Sequence, residues 1–352
     1  MADRLSLWLG PSVILAVLAV SGIVEALWPD TFYRISQEDG PVEWATVWAF
    51  VLAAAAHLGI AATHRGMATL YGLTLAVFCI VVAGEEISWG QRLFGFSPST
   101  YFLANNEQQE FTWHNTVEDG TRKLALQAVL LGYGLVLPLL VRWDRVRPLA
   151  ERFGVVAPPI SLAVGFVATW GVYVTYPWRF AGEWVELAMG IGFLLGAWSQ
   201  PGVLLKALAG VAFGATVTPL LLAGLRTEDP EASERAVAEL AALHEDWRQG
   251  NLRTDCGLHR RLYHVVTEDD LEGMNDGAFA ALGHRSKEQT RFFLDPWSQP
   301  YWVMDRCDDD GTRRIRVYSF GPNRRRDSTH AEVRPDDVAE TILEWVAQPE
   351  EP

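Results

Sequence analysis

Positive charge is scarce in this chain of 352 residues. It has 29 basic and 43 acidic side chains, which give a formal net charge of -14. Because nucleic-acid phosphates are bound by basic surfaces, this balance argues against a nucleic-acid partner. The basic triplet Arg324, Arg325 and Arg326 is too short to change that conclusion.

Cysteine is also rare, with three residues in the chain. Cys79 lies inside an apolar run, where a cysteine packs as a small hydrophobic residue. Cys256 and Cys307 both fall in the polar C-terminal part, where an oxidising compartment would allow a disulfide. A disulfide and two separate thiols are therefore both open at this point.

Motifs of familiar enzyme classes are absent. The chain has no G-x-S-x-G nucleophile elbow, no phosphate-binding P-loop and no H-E-x-x-H zinc motif. Any catalysis must therefore use another arrangement of residues.

Long apolar runs are abundant. Runs of about 20 residues, the length that crosses the hydrocarbon core of a bilayer, recur seven times. They lie near residues 7–27, 43–63, 67–87, 122–141, 158–177, 183–199 and 203–225. We therefore predict an α-helical polytopic membrane domain of about seven spans over residues 1–226. A small water-facing domain follows over residues 227–352.

Arginine placement predicts the orientation of these spans. The densest basic loop contains Arg142, Arg145, Arg147 and Arg152, and such loops face the cytoplasm. Counting seven spans places the N-terminus inside and the C-terminal domain outside the bacterial inner (cytoplasmic) membrane, with membrane lipids as partners. A miscount of one span would reverse the side of the C-terminal domain.

Six glutamates gather at the predicted outer ends of the spans. They are Glu25, Glu43, Glu85, Glu86, Glu183 and Glu186. Carboxylates at the edge of a span often indicate chemistry or ion binding. Glu183 and Glu186 project from one helix face, whereas Glu85 and Glu86 diverge by about 100°. One of the latter pair should therefore meet Arg92 or backbone. Glu43 and Glu183 also fit a plain helix-start position, where the helix dipole favours negative charge.

The predicted outer loop adds further polar side chains. His114 lies just before the fourth span, where the chain returns to the interface at which the carboxylates gather. We take Glu85, Glu86 and His114 as candidate catalytic residues. Candidate groups for binding a substrate or partner are Gln91, Arg92, Asn106, Glu110 and Asn115.

These residues resemble a family of uncharacterised bacterial multi-pass membrane proteins. The shared elements are GEEISWGQR over residues 84–92 and a looser N-x-Q-x-E-x-x-x-H-N element over residues 106–115. The resemblance brings no established activity with it. It implies where a site lies and leaves the reaction open.

Several carboxylates and one imidazole at the edge of a low-dielectric region can bind a divalent cation. Oxygen ligands suit Mg²⁺, Ca²⁺ or Mn²⁺, and a histidine adds Zn²⁺. Candidate ligands are Glu25, Glu86, His114, Glu183 and Glu186. A metal there could activate water against a lipid-linked or extracytoplasmic substrate, which predicts a metal-dependent hydrolase or transferase.

The C-terminal part combines a helix pattern with turn-rich segments. Apolar residues over 231–248 have the spacing of an amphipathic helix, with Ala236, Leu240, Leu243 and Trp247 on one side. The segments DPWSQPY (295–301), YSFGPN (318–323) and DDV (336–338) follow it and resemble two turns and an end segment of the major pseudopilin of type II secretion. The resemblance implies a small α+β pilin-like domain outside the membrane. The prepilin-peptidase signature is absent before the seventh span, so the chain is not a processed filament subunit.

Pseudopilins of this type bind calcium in their final loop. The candidate ligands here are Asn323, Asp327, Asp336 and Asp337. Asn323 stands where an aspartate is usual and three arginines follow it, so ordinary turn-forming residues are the slightly favoured interpretation.

Two alternatives to an enzyme remain. In the first, the protein is a scaffold or adaptor whose pilin-like domain docks an extracytoplasmic protein of a secretion or pilus-type assembly. In the second, the carboxylates conduct ions or protons, but no inverted repeat with interrupted helices supports this. A metal among the interface residues would favour the enzyme, and wide separation of their side chains would exclude it.

Overall fold

The structure is a computed structural model in which two compact units are described. The described residues are 2–37, 40–94, 96–106, 108–198, 214, 230–248, 256–266, 292–307, 313–321 and 343–347. The first unit comprises Met1–Gly90 and Thr112–Leu220. The second comprises Gln91–Phe111 and Leu221–Pro352, so part of the predicted outer loop folds with the C-terminal domain.

All regular secondary structure among the described residues of the first unit is helical. Its helices are α1 (Ala2–Leu27), α2 (Pro29–Ile35), α3 (Pro41–Thr63), α4 (Met67–Glu86), α7 (Asp119–Leu131), α8 (Leu137–Leu140), α9 (Arg147–Arg152), α10 (Ala163–Thr175) and α11 (Ala181–Trp198). Proline stands in the first turn of α2 and of α3, where its missing N–H costs no hydrogen bond. A π-helical turn, Gly132–Val136, joins α7 to α8.

Four helical stretches are long and apolar enough to cross a membrane. They are Leu9–Leu27, Pro41–Thr63, Met67–Glu86 and Asp119–Leu140, and they match the first four predicted spans. The fifth predicted span contains a shorter apolar helix, Ile160–Thr175. The sixth corresponds to α11, which is not among the four. The seventh, 203–225, lies outside the described residues apart from Gly214. Membrane helices are thus supported, and the predicted number of seven is not.

Helix α3 is the central helix of the first unit. Of its most apolar stretch 61% is buried, against 22% for each of the other three candidate spans. Small residues let its neighbours approach closely, as is usual between membrane helices. A Cβ added at Gly72 of α4 would lie 3.1 Å from the Cβ of Ala61, and one at Gly190 of α11 would lie 3.0 Å from that of Ala49.

An aromatic cluster fills the centre of the first unit. The rings of Tyr133 and Phe193 are stacked with centroids 4.1 Å apart, and Phe166 meets Tyr133 edge-on. Tyr133 projects from the π-helical turn. Its buried hydroxyl has no hydrogen-bond partner within the described part of the chain.

The second unit combines short helices with a small antiparallel sheet. Helices α5 (Gln91–Phe94) and α6 (Thr100–Asn105) belong to the loop segment, and α12 (Pro230–Arg248) precedes the strands. The strands are β1 (His259–Arg261), β2 (Trp302–Cys307), β3 (Arg313–Tyr318) and β4 (Leu343–Ala347), and they lie in that order. Val303 pairs with Val317, and Ile315 pairs with Trp345.

The predicted amphipathic helix is present as α12. Its residues Leu240 and Leu243 are fully buried and join Val303 and Ile315 of the sheet in one hydrophobic cluster. Glu239 is buried on the same helix and accepts a hydrogen bond from the hydroxyl of Tyr301. The hydrophobic face of α12 therefore forms the core of this unit.

Two predicted turns of the second unit are joined by one carboxylate. Asp295 Oδ1 accepts hydrogen bonds from the backbone N–H groups of Trp297 (3.0 Å) and Gln299 (2.8 Å). Its other oxygen, Oδ2, accepts a hydrogen bond from the Ser319 hydroxyl at 2.5 Å. The DPWSQPY segment and residues 318–321 (YSFG) are thus joined through one buried carboxylate.

The two C-terminal cysteines form a disulfide. Cys256 and Cys307 have Cα atoms 5.5 Å apart, and Cys79 is free and buried in the first unit. Of the two alternatives that the sequence left open, the structure therefore has the disulfide.

We expect Tyr133→Phe and Phe193→Ala to have very different effects on stability. Tyr133→Phe removes a buried hydroxyl without a described partner, so its unfolding free energy should be unchanged or higher by up to about 1 kcal/mol. Phe193→Ala leaves a cavity between two rings and should cost about 3–5 kcal/mol. Thermal unfolding of the detergent-solubilised protein measures both. A large loss of stability in Tyr133→Phe would show that its hydroxyl has an ordered partner.

Candidate membrane-interface site

The GEEISWG segment ends α4 in a left-handed turn. Ser88, Trp89 and Gly90 have φ values of 48°, 52° and 79°. A residue other than glycine in this conformation costs about 1–2 kcal/mol, so the surrounding contacts must hold it. The Trp89 indole lies against Gly84, where an added Cβ would come within 2.9 Å of the ring. Trp89 Nε1 also donates a hydrogen bond to Glu85 Oε1 at 2.6 Å.

Glu85 fastens the end of α4 to the segment that precedes α7. Its Oε2 accepts hydrogen bonds from the backbone N–H groups of Trp113 (2.7 Å) and His114 (2.9 Å). The same oxygen lies 3.1 Å from His114 Nδ1. One glutamate of the adjacent pair was expected to meet backbone, and Glu85 is that residue. Both of its oxygens accept hydrogen bonds from protein groups.

The contact with Glu85 also determines how His114 presents its ring. An ionised carboxylate only accepts hydrogen bonds, so Nδ1 carries the proton and Nε2 has the lone pair of the neutral ring. The His114 side chain is 42% exposed, whereas that of Glu85 is 11% exposed. A carboxylate behind a histidine is a common arrangement in metal and acid–base sites, because it orients the ring and increases its basicity.

Glu86 belongs to a cluster of carboxylates. One oxygen from each of Glu86, Glu183 and Glu186 can be chosen so that the three lie within 4.8 Å of one another, and all three side chains are half-buried. The carboxyl groups of Glu86 and Glu186 therefore lie close enough to interact. Glu43, which is buried, also interacts electrostatically with Glu86.

Helix packing explains why these residues meet. Gly190 of α11 contacts Ala49 and Phe50 of α3. Gly190 follows Glu183 by seven residues, and Ala49 and Phe50 follow Glu43 by six and seven residues. The starts of α3 and α11 are therefore level. Trp184 fixes the start of α11 further, because its Nε1 donates a hydrogen bond to the Ser36 hydroxyl at 2.9 Å.

Basic side chains border the cluster. His114 and Arg122 both interact electrostatically with Glu186. Arg122 donates hydrogen bonds to Asn115 Oδ1 (3.1 Å) and Asp119 Oδ1 (2.7 Å), which hold its guanidinium in place at the start of α7. Sequence reasoning did not select Arg122. Its position three residues after Asp119, at the start of a predicted span, was the feature of the sequence that could have indicated it.

The cluster contains part of the predicted ligand set. Glu86, Glu183 and Glu186 have ligand atoms within 4.8 Å of one another. Among the described residues, Glu25 and His114 do not belong to a group that meets this distance. Glu43, which was interpreted as a plain helix-start residue, interacts with the cluster. An ion bound by all five predicted ligands at once does not fit this geometry.

The predicted polar binding groups of the loop mainly stabilise the loop itself. Gln91 Oε1 accepts a hydrogen bond from the Phe111 N–H at 2.7 Å. Asn106 Oδ1 accepts one from Gln108 N at 2.7 Å, and its Nδ2 donates one to the Glu110 carbonyl at 2.8 Å. Gln91, Asn106 and Glu110 are buried in the second unit. Arg92 lies in α5, and its side chain is outside the described part of the structure.

The predicted calcium ligands Asn323, Asp327, Asp336 and Asp337 lie outside the described residues. Among the described residues, a second group of candidate metal ligands comprises Cys256, Asp305 and Cys307. Its two cysteines form the disulfide, so no thiolate is available there.

No protein-family model, curated protein or solved structure matches this chain.

We expect Gly84→Ala to disrupt the left-handed turn. The new Cβ would displace the Trp89 ring and its hydrogen bond to Glu85, which should cost about 1–3 kcal/mol. Gly171→Ala in α10 is the matched control, because no atom lies within 4 Å of an added Cβ there. Alanine at that helical position should stabilise the protein by up to about 1 kcal/mol. Thermal unfolding in detergent compares them, and equal stability of the two variants would contradict the proposed contact.

Proposed function

We propose that this chain is an enzyme of the bacterial cytoplasmic membrane, a metal-dependent hydrolase or transferase acting at the outer interface. Its substrate would be lipid-linked or extracytoplasmic. The observation that supports this most is the cluster of Glu86, Glu183 and Glu186, whose oxygens lie within 4.8 Å of one another beside an oriented histidine.

Charge balance is the reason to place a cation in the cluster. Several carboxylates this close, at the edge of a region of low dielectric constant, repel one another strongly when ionised. A bound divalent cation removes the repulsion and uses the oxygens as ligands. An all-oxygen ligand set suits Mg²⁺, Mn²⁺ or Ca²⁺ better than Zn²⁺.

The surrounding residues would then divide the chemistry. A divalent cation makes water easier to deprotonate, and His114 Nε2 would accept that proton. The protonated imidazole would then return the proton to the leaving group of the substrate. Glu85 holds the ring through Nδ1, and Arg122 can stabilise an anionic group of the substrate.

An outward C-terminal domain is part of the proposal. The disulfide between Cys256 and Cys307 fits an oxidising compartment such as the bacterial periplasm. The loop segment Gln91–Phe111 belongs to the same compact unit as the C-terminal domain, so both lie on the same side of the membrane. This agrees with an outer position for the loop.

Metal analysis of purified full-length variants tests the enzyme proposal. We expect the wild-type protein to retain about one divalent ion, and Glu86→Gln and Glu186→Gln to lose it because each removes a charged ligand. Glu25→Gln is the matched control, since Glu25 also ends a candidate span and is outside the cluster. His114→Ala should keep the ion, because the ring is not among the clustered ligands.

Equal metal content in all variants would exclude the metal site. Proton transport would then be the better candidate, because carboxyl groups this close together can hold a proton on one of them to relieve the repulsion of like charges. Infrared difference spectroscopy would show that protonated carboxyl in the wild-type protein, and Glu186→Gln would remove or shift its band.

A scaffold function is favoured by a different observation. Glu85 of the GEEISWGQR segment makes four hydrogen bonds within the protein, and Asp295 of the DPWSQPY segment is buried in a hydrogen-bond network. Both sequence motifs can therefore be explained by a structural role alone. In this alternative the C-terminal domain is pilin-like and docks an extracytoplasmic protein. A metal-free protein whose Glu86→Gln variant is as active in the cell as the wild type would favour it.

Labelling of single cysteines in intact spheroplasts tests the orientation. Val237→Cys on α12 should react with a membrane-impermeant maleimide before lysis, because Val237 is 45% exposed and its domain is proposed to lie outside. Arg145→Cys, in the exposed connection between α8 and α9, should react only after lysis. Labelling of Arg145→Cys alone before lysis would reverse the proposed orientation.

A further inference from the structure

The loop between α4 and α7 contains a segment without charge. No acidic or basic residue occurs from Leu93 to Asn106, although 20% of the whole chain is charged. Four of the twelve residues from Leu93 to Ala104 are aromatic. Such a composition is unusual for a loop that is surrounded by water and is typical of the membrane interface.

Several residues of this segment pack against the C-terminal part of the second unit. Leu103 is fully buried and forms a hydrophobic cluster with Phe292 and Leu294. Phe102 is also buried, and its ring meets that of Phe111 with centroids 4.7 Å apart. The Ser97 hydroxyl donates a hydrogen bond to the Ser298 hydroxyl at 2.7 Å. These contacts hold the loop segment in a defined conformation on the C-terminal domain.

The remaining aromatic rings of the segment are exposed. Phe94 is 71% exposed, Tyr101 is 52% exposed and Phe96 is 37% exposed. An exposed phenylalanine leaves apolar surface in contact with water, which is unfavourable. Their neighbours Phe102 and Leu103 are buried, so the exposure of these rings is not general fraying of the loop.

The position of the segment in the chain indicates what covers these rings. Phe94 follows Glu86, the last residue of a helix able to cross a membrane, by eight residues. Eight residues span at most about 28 Å, and less here because part of the connection is helical. Trp89 and Trp113, which flank the loop in sequence, are also exposed. Exposed tryptophans at span ends mark the level of the lipid headgroups.

We propose that Phe94, Phe96 and Tyr101 insert into the interfacial layer of the leaflet in which α4 ends. The loop thereby attaches the C-terminal domain to the bilayer surface. A lipid surface is favoured over a protein partner because the segment has no charge to confer specificity and is continuous with a candidate membrane span. The anchor is independent of the carboxylate cluster and of any reaction there.

Spin labelling of the full-length protein in vesicles tests the anchor. Phe94→Cys would be labelled with a nitroxide, because Cys79 is buried and the other two cysteines form a disulfide. The control is a label at Val237→Cys, which is 45% exposed on α12 in the same unit. The vesicles contain phosphatidylcholine with a fifth of phosphatidylglycerol, on the order of a bacterial anionic fraction.

Collision rates with two relaxing agents give the result. Oxygen partitions into lipid, and a water-soluble nickel chelate does not. We expect the oxygen-to-nickel ratio at Phe94 to exceed the ratio at Val237 several-fold. Equal, water-like ratios at both positions would overturn the proposal, and they would be the result if the rings were a docking surface for a protein. Should Phe94→Cys fail to fold, Tyr101→Cys gives the same comparison.

Discussion

The carboxylate of Glu85 is the contact on which the candidate site depends. It is hydrogen-bonded to the Trp89 indole, to the backbone of Trp113 and His114, and to the His114 ring. These groups belong to two segments separated by more than twenty residues of chain that fold in the other unit. This one carboxylate connects the left-handed turn to the histidine. The geometry of the site therefore begins with a residue whose two oxygens both accept hydrogen bonds from the protein.

Glu86 shows how one step along a helix changes the chemistry of the same side chain. The two residues diverge by about 100° around α4, so Glu85 meets N–H donors and Glu86 meets other carboxylates. The like charges around Glu86 have to be balanced by a cation or a proton, and this need supports both an enzymatic and a transport function. The basic rim of His114 and Arg122 favours the enzyme, since it gives an anionic substrate a place beside the cluster.

The second unit has a different role in this picture. Its recognised turns are explained by Asp295, which binds both of them, and by the buried pair of Glu239 and Tyr301. The uncharged loop segment is part of this unit and places aromatic rings on its surface.

The sequence by itself determined the membrane character, because an apolar run of sufficient length has few other stable environments. It also located the carboxylates Glu86, Glu183 and Glu186, the amphipathic helix α12 and the adjacent glutamates that cannot share one ligand. It could not determine which other residues lie near these three carboxylates. Glu43 and Arg122 interact with the cluster, whereas Glu25 does not belong to it. These relations depend on which helices pack together and at which level. The disulfide and the folding of the loop with the C-terminal domain depend on contacts between residues distant in sequence. Only the tertiary structure decided those, since no local pattern records a long-range distance.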